Sequence, residues 1–171
     1  MTAFPFTGTT PDMCDPQRDS TPSSDPIIAY KRSRFQTRLP LGRLYTQSHF
    51  WLAETEPGLW RVGFTRFATR MLGEIVEHGF EVKAAEAIQI GQTIGWVEGF
   101  KALTDLYSVA DGSFVAGNLD LNADPTLIDR DPYHKGWLYL VRGIPEANAM
   151  NPQTYIQVLD ATIDKMQGNA P

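Results

Sequence analysis

Cysteine is almost missing from this chain of 171 residues, with Cys14 the single example. No intrachain disulfide can form and no thiolate cluster can hold zinc, which fits a reducing compartment. Nothing basic or helical surrounds Cys14, so it reads as an unpaired thiol. Histidine is scarce as well: His49, His78 and His134 are the only three. None has the spacing of a His-Glu-x-x-His metal site, and no Gly-x-Ser-x-Gly nucleophile motif occurs. Metalloenzyme and serine-hydrolase chemistry therefore lack residues to act through, and no metal site is expected. No apolar run approaches the roughly 18–20 residues that cross a bilayer. The N-terminus lacks the basic-then-apolar order of a signal peptide, and Asp12, Asp15 and Asp19 argue against a presequence poor in acids. A cytoplasmic protein without a membrane partner is expected.

Positive charge is in deficit where the apolar residues concentrate. Residues 45–171 hold nine Lys or Arg against sixteen acids, whereas residues 1–44 hold six against four. Such an acidic body repels phosphate backbones, so nucleic acid is not expected as a partner. Six of the twelve prolines precede residue 45, beside clusters such as Asp19-Ser20-Thr21-Pro22-Ser23-Ser24-Asp25-Pro26. Residues 1–44 are expected to form an extended, poorly packed leader. It ends in a basic strip, Lys31, Arg32, Arg34, Arg38 and Arg43, which reads as a solvated connector because it lacks a clean helical or strand period, the alternative being a docking strip for an acidic partner or for the protein's own acidic body.

From residue 45 onward, short apolar runs alternate with Gly, Pro and Asn, the spacing of an all-β domain. Phe50-Trp51-Leu52 and Trp60-Arg61-Val62-Gly63-Phe64 predict a hairpin around Glu56-Pro57-Gly58. Thr65 predicts the N-cap of a short helix through Leu72, with Gly73 after it. Further strands are expected at 74–76, 87–90, 93–97, 106–109, 113–116 and 137–141. Asp124-Pro125 predicts a brief helical turn through Ile128, and Asn151-Pro152 opens a terminal helix with Tyr155, Leu159, Ile163 and Met166 on its core-facing side. The sum is a mainly β, two-sheet sandwich with short helices, a C-terminal helix and an irregular N-terminal extension.

Gly95-Trp96-Val97-Glu98-Gly99-Phe100-Lys101-Ala102-Leu103-Thr104-Asp105-Leu106-Tyr107-Ser108 carries the strongest functional signal. An acid three before a lysine, alanine directly after it, and a downstream Asp-Leu-Tyr-Ser resemble the lipoyl-lysine hairpin of glycine cleavage system H proteins. Other blocks agree in order: Tyr45-Thr46 with His49 and Trp51, Val62-Gly63-Phe64-Thr65, Leu72-Gly73-Glu74-Ile75-Val76, Ala84-Ala85-Glu86-Ala87, Pro125-Thr126-Leu127-Ile128-Asp129, Asp131-Pro132-Tyr133 and Gly136-Trp137-Leu138. A weak echo of the site, Glu81-Val82-Lys83-Ala84, lies eighteen positions earlier.

The resemblance implies a lipoyl-domain-like fold, the barrel-sandwich hybrid, over residues 45–171. It implies lipoate attached covalently to Lys101, with Glu98, Gly99, Phe100, Ala102 and Asp105 as hairpin and lipoylation-recognition residues. His49, Trp51 and His134 are candidates for a surface on which the arm docks. The implied protein is a carrier rather than an enzyme. Its partners would be a lipoate ligase or a lipoyl or octanoyl transferase, and a client redox or aminomethyl-transfer complex. Glu98-Gly99-Phe100-Lys101 departs from the family's usual Glu-Ser-Val-Lys, and His49-Phe50-Trp51 from its His-Glu-Trp. Together with the leader, these departures resemble the H-like lipoate-binding proteins of heterodisulfide-reductase-like sulfur oxidation, which is the favoured pathway at this point. The alternatives are the ordinary glycine cleavage role and an unmodified H-like interaction module.

Overall fold

The computed structural model describes residues 25–168. Cys14 and the first part of the expected leader lie outside them. The chain runs β1 (Ile27–Arg32), β2 (Phe35–Pro40), β3 (Leu44–Tyr45), β4 (Phe50–Glu56), β5 (Leu59–Phe64), α1 (Arg66–Leu72), β6 (Ile75–Phe80), β7 (Ala87–Ile88), β8 (Thr93–Gly99), β9 (Leu103–Tyr107), β10 (Ala110–Gly117), α2 (Asp120–Ala123), α3 (Leu127–Arg130), β11 (Tyr139–Pro145) and α4 (Pro152–Met166). Strands β3-β4-β5-β11-β10-β7 make one antiparallel sheet, β6-β8-β9 a second, and β1-β2 a separate hairpin. The expected mainly β sandwich with helical trim is what forms.

Alternation along β4 explains how one sheet serves two cores. Phe50 and Leu52 enter a cluster with Val62, Ile75, Val97, Leu106, Phe114 and Val141. Trp51, pointing the other way, enters a second cluster with Tyr45, Phe67, Tyr133, Tyr155 and Leu159. All three successive residues are therefore buried, which happens only where a sheet is covered on both faces. The cover on the second face is α4, started by Asn151, whose side chain accepts from Thr154 N–H at 2.8 Å, with Pro152 in the first turn. Tyr155, Leu159 and Ile163 are buried as its period predicts; Met166 departs from the expected stripe and is 59% exposed at the last residue of the helix.

The expected irregular leader is corrected over residues 27–40, which form an antiparallel hairpin with Tyr30 facing Thr37 and Arg32 facing Phe35. Phe35 and Leu39 lie on one face of β2 and, with Tyr30, are buried in the second cluster. Gln36 and Arg38 point outward. The basic strip is likewise divided rather than uniformly solvated. Arg32 pairs with Asp160 and Asp164 on α4, and Arg43 lies over the Trp51 ring at 4.2 Å. Because the hairpin is held by buried apolar side chains while the Arg32 pairs stand partly in water, Arg32→Ala should leave the thermal midpoint nearly unchanged. A large drop in a melting curve would assign the hairpin's attachment to charge instead.

Smaller differences have local causes. The strand expected at 106–109 is β9 at 103–107, because Ser108 turns away, its N–H donating to Gln92 O at 2.9 Å and its hydroxyl to Ala110 O at 2.7 Å. α2 was not foreseen: it is a single turn, with Asn118 Oδ1 accepting from Asp120 N–H at 3.1 Å. α3 begins at Leu127, two residues later than expected, because the Asp124 side chain accepts from both the N–H and the hydroxyl of Thr126 and holds that residue in the preceding turn.

Candidate functional site

Lys101 stands at the tip of the β8–β9 turn. Val97 and Leu106 hold the two strands to the core with no exposed surface, and Gly99 N–H donates to Ala102 O at 2.9 Å to close the turn. The tip is also fastened sideways. Lys101 N–H donates to Leu72 O at 2.9 Å and Phe100 N–H to Glu74 O at 3.0 Å, which ties the turn to the last residue of α1 and to the link that leads into β6. Gly99 is required by proximity, for a Cβ there would lie 2.2 Å from Leu72 O. Gly73 adopts φ +76° at the end of α1, and a Cβ on it would meet Lys101 Cγ at 3.0 Å. The lysine stem thus runs over a residue that has no side chain.

The Lys101 side chain is exposed and its amine makes no hydrogen bond or ion pair among the described residues. That condition fits a group joined to the amine by an amide: no ion pair must be broken, the backbone beneath is fixed, and the glycine leaves room at the stem. Glu98 and Asp105 are both exposed on the outward face of the hairpin, Glu98 beside Leu103 and Asp105 beside Trp96 in the register. Phe100 and Leu103 are exposed by 77% and 68%. Ala102 follows the lysine, exposed and without bulk.

A shallow cleft of about 290 Å³ lies next to Lys101, lined by Arg66, Thr69, Arg70, Gly73, Glu74 and Asp129. Arg66, Asp129 and Arg70 escaped sequence reasoning because α1 and α3 are far apart in the chain. The signal that could have found them is the N-cap of α1: Thr65 accepts from Ala68 N–H, so Arg66 opens the helix and reaches across to α3. Its guanidinium donates to Asp129 O and Arg130 O, and its N–H to Tyr133 Oη at 3.1 Å. Asp129 in turn accepts from Ile75 N–H at 3.4 Å. The wall behind the lysine is therefore a cross-linked unit of α1, α3 and β6.

The candidate docking residues His49, Trp51 and His134 do not line this cleft. Trp51 is fully buried, with its indole N–H donated to Pro132 O at 2.9 Å, so it offers no surface. His134 is exposed and lies against Asp131 at 3.0 Å. His49 turns inward through a positive φ of 67°, placing Nδ1 2.8 Å from Tyr155 Oη and its ring 4.5 Å from that of Phe67. Burial pushes its pKa down from 6.5 to about 4. The unfolded chain therefore binds this proton near pH 6.5 while the folded chain resists it to about pH 4. The resulting stability, complete above pH 6.5, is lost as pH falls through that window. His49→Gln should flatten this part of the stability–pH curve in urea titrations. His78, pushed the same way by burial, supplies a slope that the variant keeps. An unaltered curve would remove His49 from the acid response.

A two-sheet sandwich that presents one uncommitted lysine on a braced turn is a lipoyl-type carrier domain. Residues 43–161 match the family model described as Glycine cleavage H-protein. The glycine cleavage system H protein of Thermobifida fusca is 37% identical over 117 residues, covering 68% of this chain and 91% of the relative. That of Corynebacterium jeikeium is 38% identical over 127 residues, covering 70% and 95%. A crystal structure of a glycine cleavage system H protein from Mycobacterium marinum superposes with a TM-score of 0.64 at 32% identity, covering 71% of this chain and 99% of that one. The chain belongs to the glycine cleavage H-protein family. Proteins of this family carry a lipoate covalently attached to a lysine and have no catalytic activity of their own.

Proposed function

We propose that this protein is the lipoyl carrier of a glycine cleavage system, that Lys101 is the attachment residue, and that the carried group is the aminomethyl fragment passed between the system's enzymes. The observation that carries the site assignment is the braced turn: an exposed amine without partners whose own backbone N–H is bonded to Leu72 O. When attached, lipoate supplies a ring disulfide that opens to a dithiol and exchanges fragments and electrons with client sites. The chain's own residues hold the stem and set its direction from the body. Glu98 and Asp105 offer carboxylates on one face of the turn, beside exposed Phe100 and Leu103, for recognition by the lipoylating enzyme. The carrier domain is assigned to residues 45–171, with the preceding segment as an addition.

The sulfur-oxidation pathway, favoured above from Gly99-Phe100 and the leader, has less support than its alternative, because the relatives matched here are glycine cleavage H proteins. A cytoplasmic setting is consistent with the single cysteine and with the fact that no described helix is long and apolar enough to cross a membrane. The deciding experiment is reconstitution of the lipoylated protein with glycine decarboxylase and the aminomethyl-transfer enzyme. Glycine-dependent exchange of carbon dioxide is expected. Lipoylated protein that supports no exchange would sink the glycine pathway and return the sulfur reading to first place.

A further inference from the structure

A second and larger groove lies between the β1–β2 turn, α1 and the C-terminal end of α4, and encloses about 440 Å³. Its floor is apolar. Phe35 and Phe67 meet edge to face with centroids 5.4 Å apart, and Ile163 completes the base. Met71 and Met166 border it with 41% and 59% of their surface exposed. Flexible thioether side chains around an open groove make an adaptable contact surface.

The rim is basic, and its charge is unevenly neutralised. Arg32 is held by Asp160 and Asp164 at 3.1 and 2.7 Å. Arg34, on the hairpin turn, and Arg70, on α1, have no carboxylate partner among the described residues. Two uncompensated guanidinium groups beside an apolar floor, in a chain of net charge −5, form a local inversion of the protein's field. Complementary potential of that kind selects an acidic partner and disfavours a basic one. Position gives the contact a use, since Arg70 also lines the cleft beside Lys101. The wall bearing Arg34 and Phe35 precedes the residues 43–161 that match the family, so this groove is an addition to the family's scaffold.

We propose that this groove docks an acidic segment with an apolar anchor, belonging to an enzyme that the carrier serves, and holds it beside Lys101. The identity of that enzyme as a client rests on the carrier reading; the binding does not. Two arginines carried by different elements suit carboxylates spread along a segment better than the single headgroup of an acyl chain. Apolar anchors seated in pockets supply most of the energy in such contacts, and flanking charges supply selection.

The test uses the full chain and a labelled synthetic peptide in which one Phe and one Leu, four residues apart, are flanked by Glu and Asp. Fluorescence anisotropy should show saturable binding. Lys in place of the acids, or Ser in place of the two anchors, should weaken it by about tenfold or more, as should Arg34→Glu with Arg70→Glu, or Met166→Glu alone. These side chains are exposed, and an unchanged thermal midpoint confirms that the variants fold. Equal binding of the basic peptide, or unaltered affinity in the variants, overturns the proposal. So does groove occupancy by octanoate without the acidic peptide, which makes it a small-molecule site, or a dimer abolished by Met166→Glu, which makes it a contact between copies. Intact mass of the same samples, expressed with lipoate and a lipoate ligase, keeps the two readings apart. Lipoylated protein that ignores the peptide sinks the groove alone, and unlipoylated protein that binds it sinks the carrier assignment alone.

Discussion

Lys101→Arg is expected to abolish lipoylation, and intact-mass measurement after co-expression with a lipoate ligase should show no lipoyl increment at all. The expectation follows from nucleophile chemistry. A lysine amine can lose its proton and be acylated, whereas a guanidinium stays protonated and does not form the amide. Arginine keeps the charge and the length at an exposed tip, so the fold should persist and the melting curve should be close to wild type. The informative control is Lys83→Arg. Lys83 also precedes an alanine, but its turn is built differently: its N–H is accepted by Glu86 Oε2 at 2.8 Å and Ala85 takes a φ of 68°. It lacks the brace from the end of α1, and the Lys83→Arg protein should be lipoylated fully. An increment surviving in Lys101→Arg and vanishing in Lys83→Arg would move the site.

Gly99→Ala is expected to damage the site from beneath. Its φ is not in the left-handed region, so the cost comes from space rather than from backbone preference. The added methyl would lie 2.2 Å from Leu72 O and 2.9 Å from Leu72 C, both backbone atoms that no rotamer change can clear. Leu72 O is the acceptor for Lys101 N–H, so relief of the clash must lift the turn from its support. Overpacking of this kind costs about 1–3 kcal/mol. Lipoylation should slow by several-fold because the lysine is no longer presented in one direction. Gly42→Ala is the matched control, since nothing lies within 4 Å of a Cβ there. It should change stability by no more than about 0.5 kcal/mol. Equal effects in denaturant titrations would show that the turn tolerates displacement.

The hairpin of residues 27–40 shows why part of the fold was illegible. Phe35, Thr37 and Leu39 alternate with Gln36 and Arg38 as a half-buried strand should, yet the preceding prolines and the basic residues masked that period. The turn gave no help, because Ser33 rather than glycine takes the positive φ of 55°. The strand is stable only because α4 and α1 supply the apolar face it covers. His49 and Trp51 face inward for a related reason. Their positions in the chain were recognisable, but whether each side chain faces solvent depends on α4 lying across that face of the sheet, more than a hundred residues later.

Sequence alone determined the β-rich sandwich, the short helix after Thr65, the terminal helix after Asn151 and the lysine at the tip of a hairpin. Each is written in a local code of alternation, capping residues and turn residues that acts over a few positions. Tertiary structure alone decided that the lysine turn is bonded to Leu72 and Glu74, that Arg66 clamps α3 behind it, and that a basic-rimmed apolar groove opens next to it. These features join residues distant in the chain, and their energies come from close approach and burial, which exist only once the sheets and helices have packed.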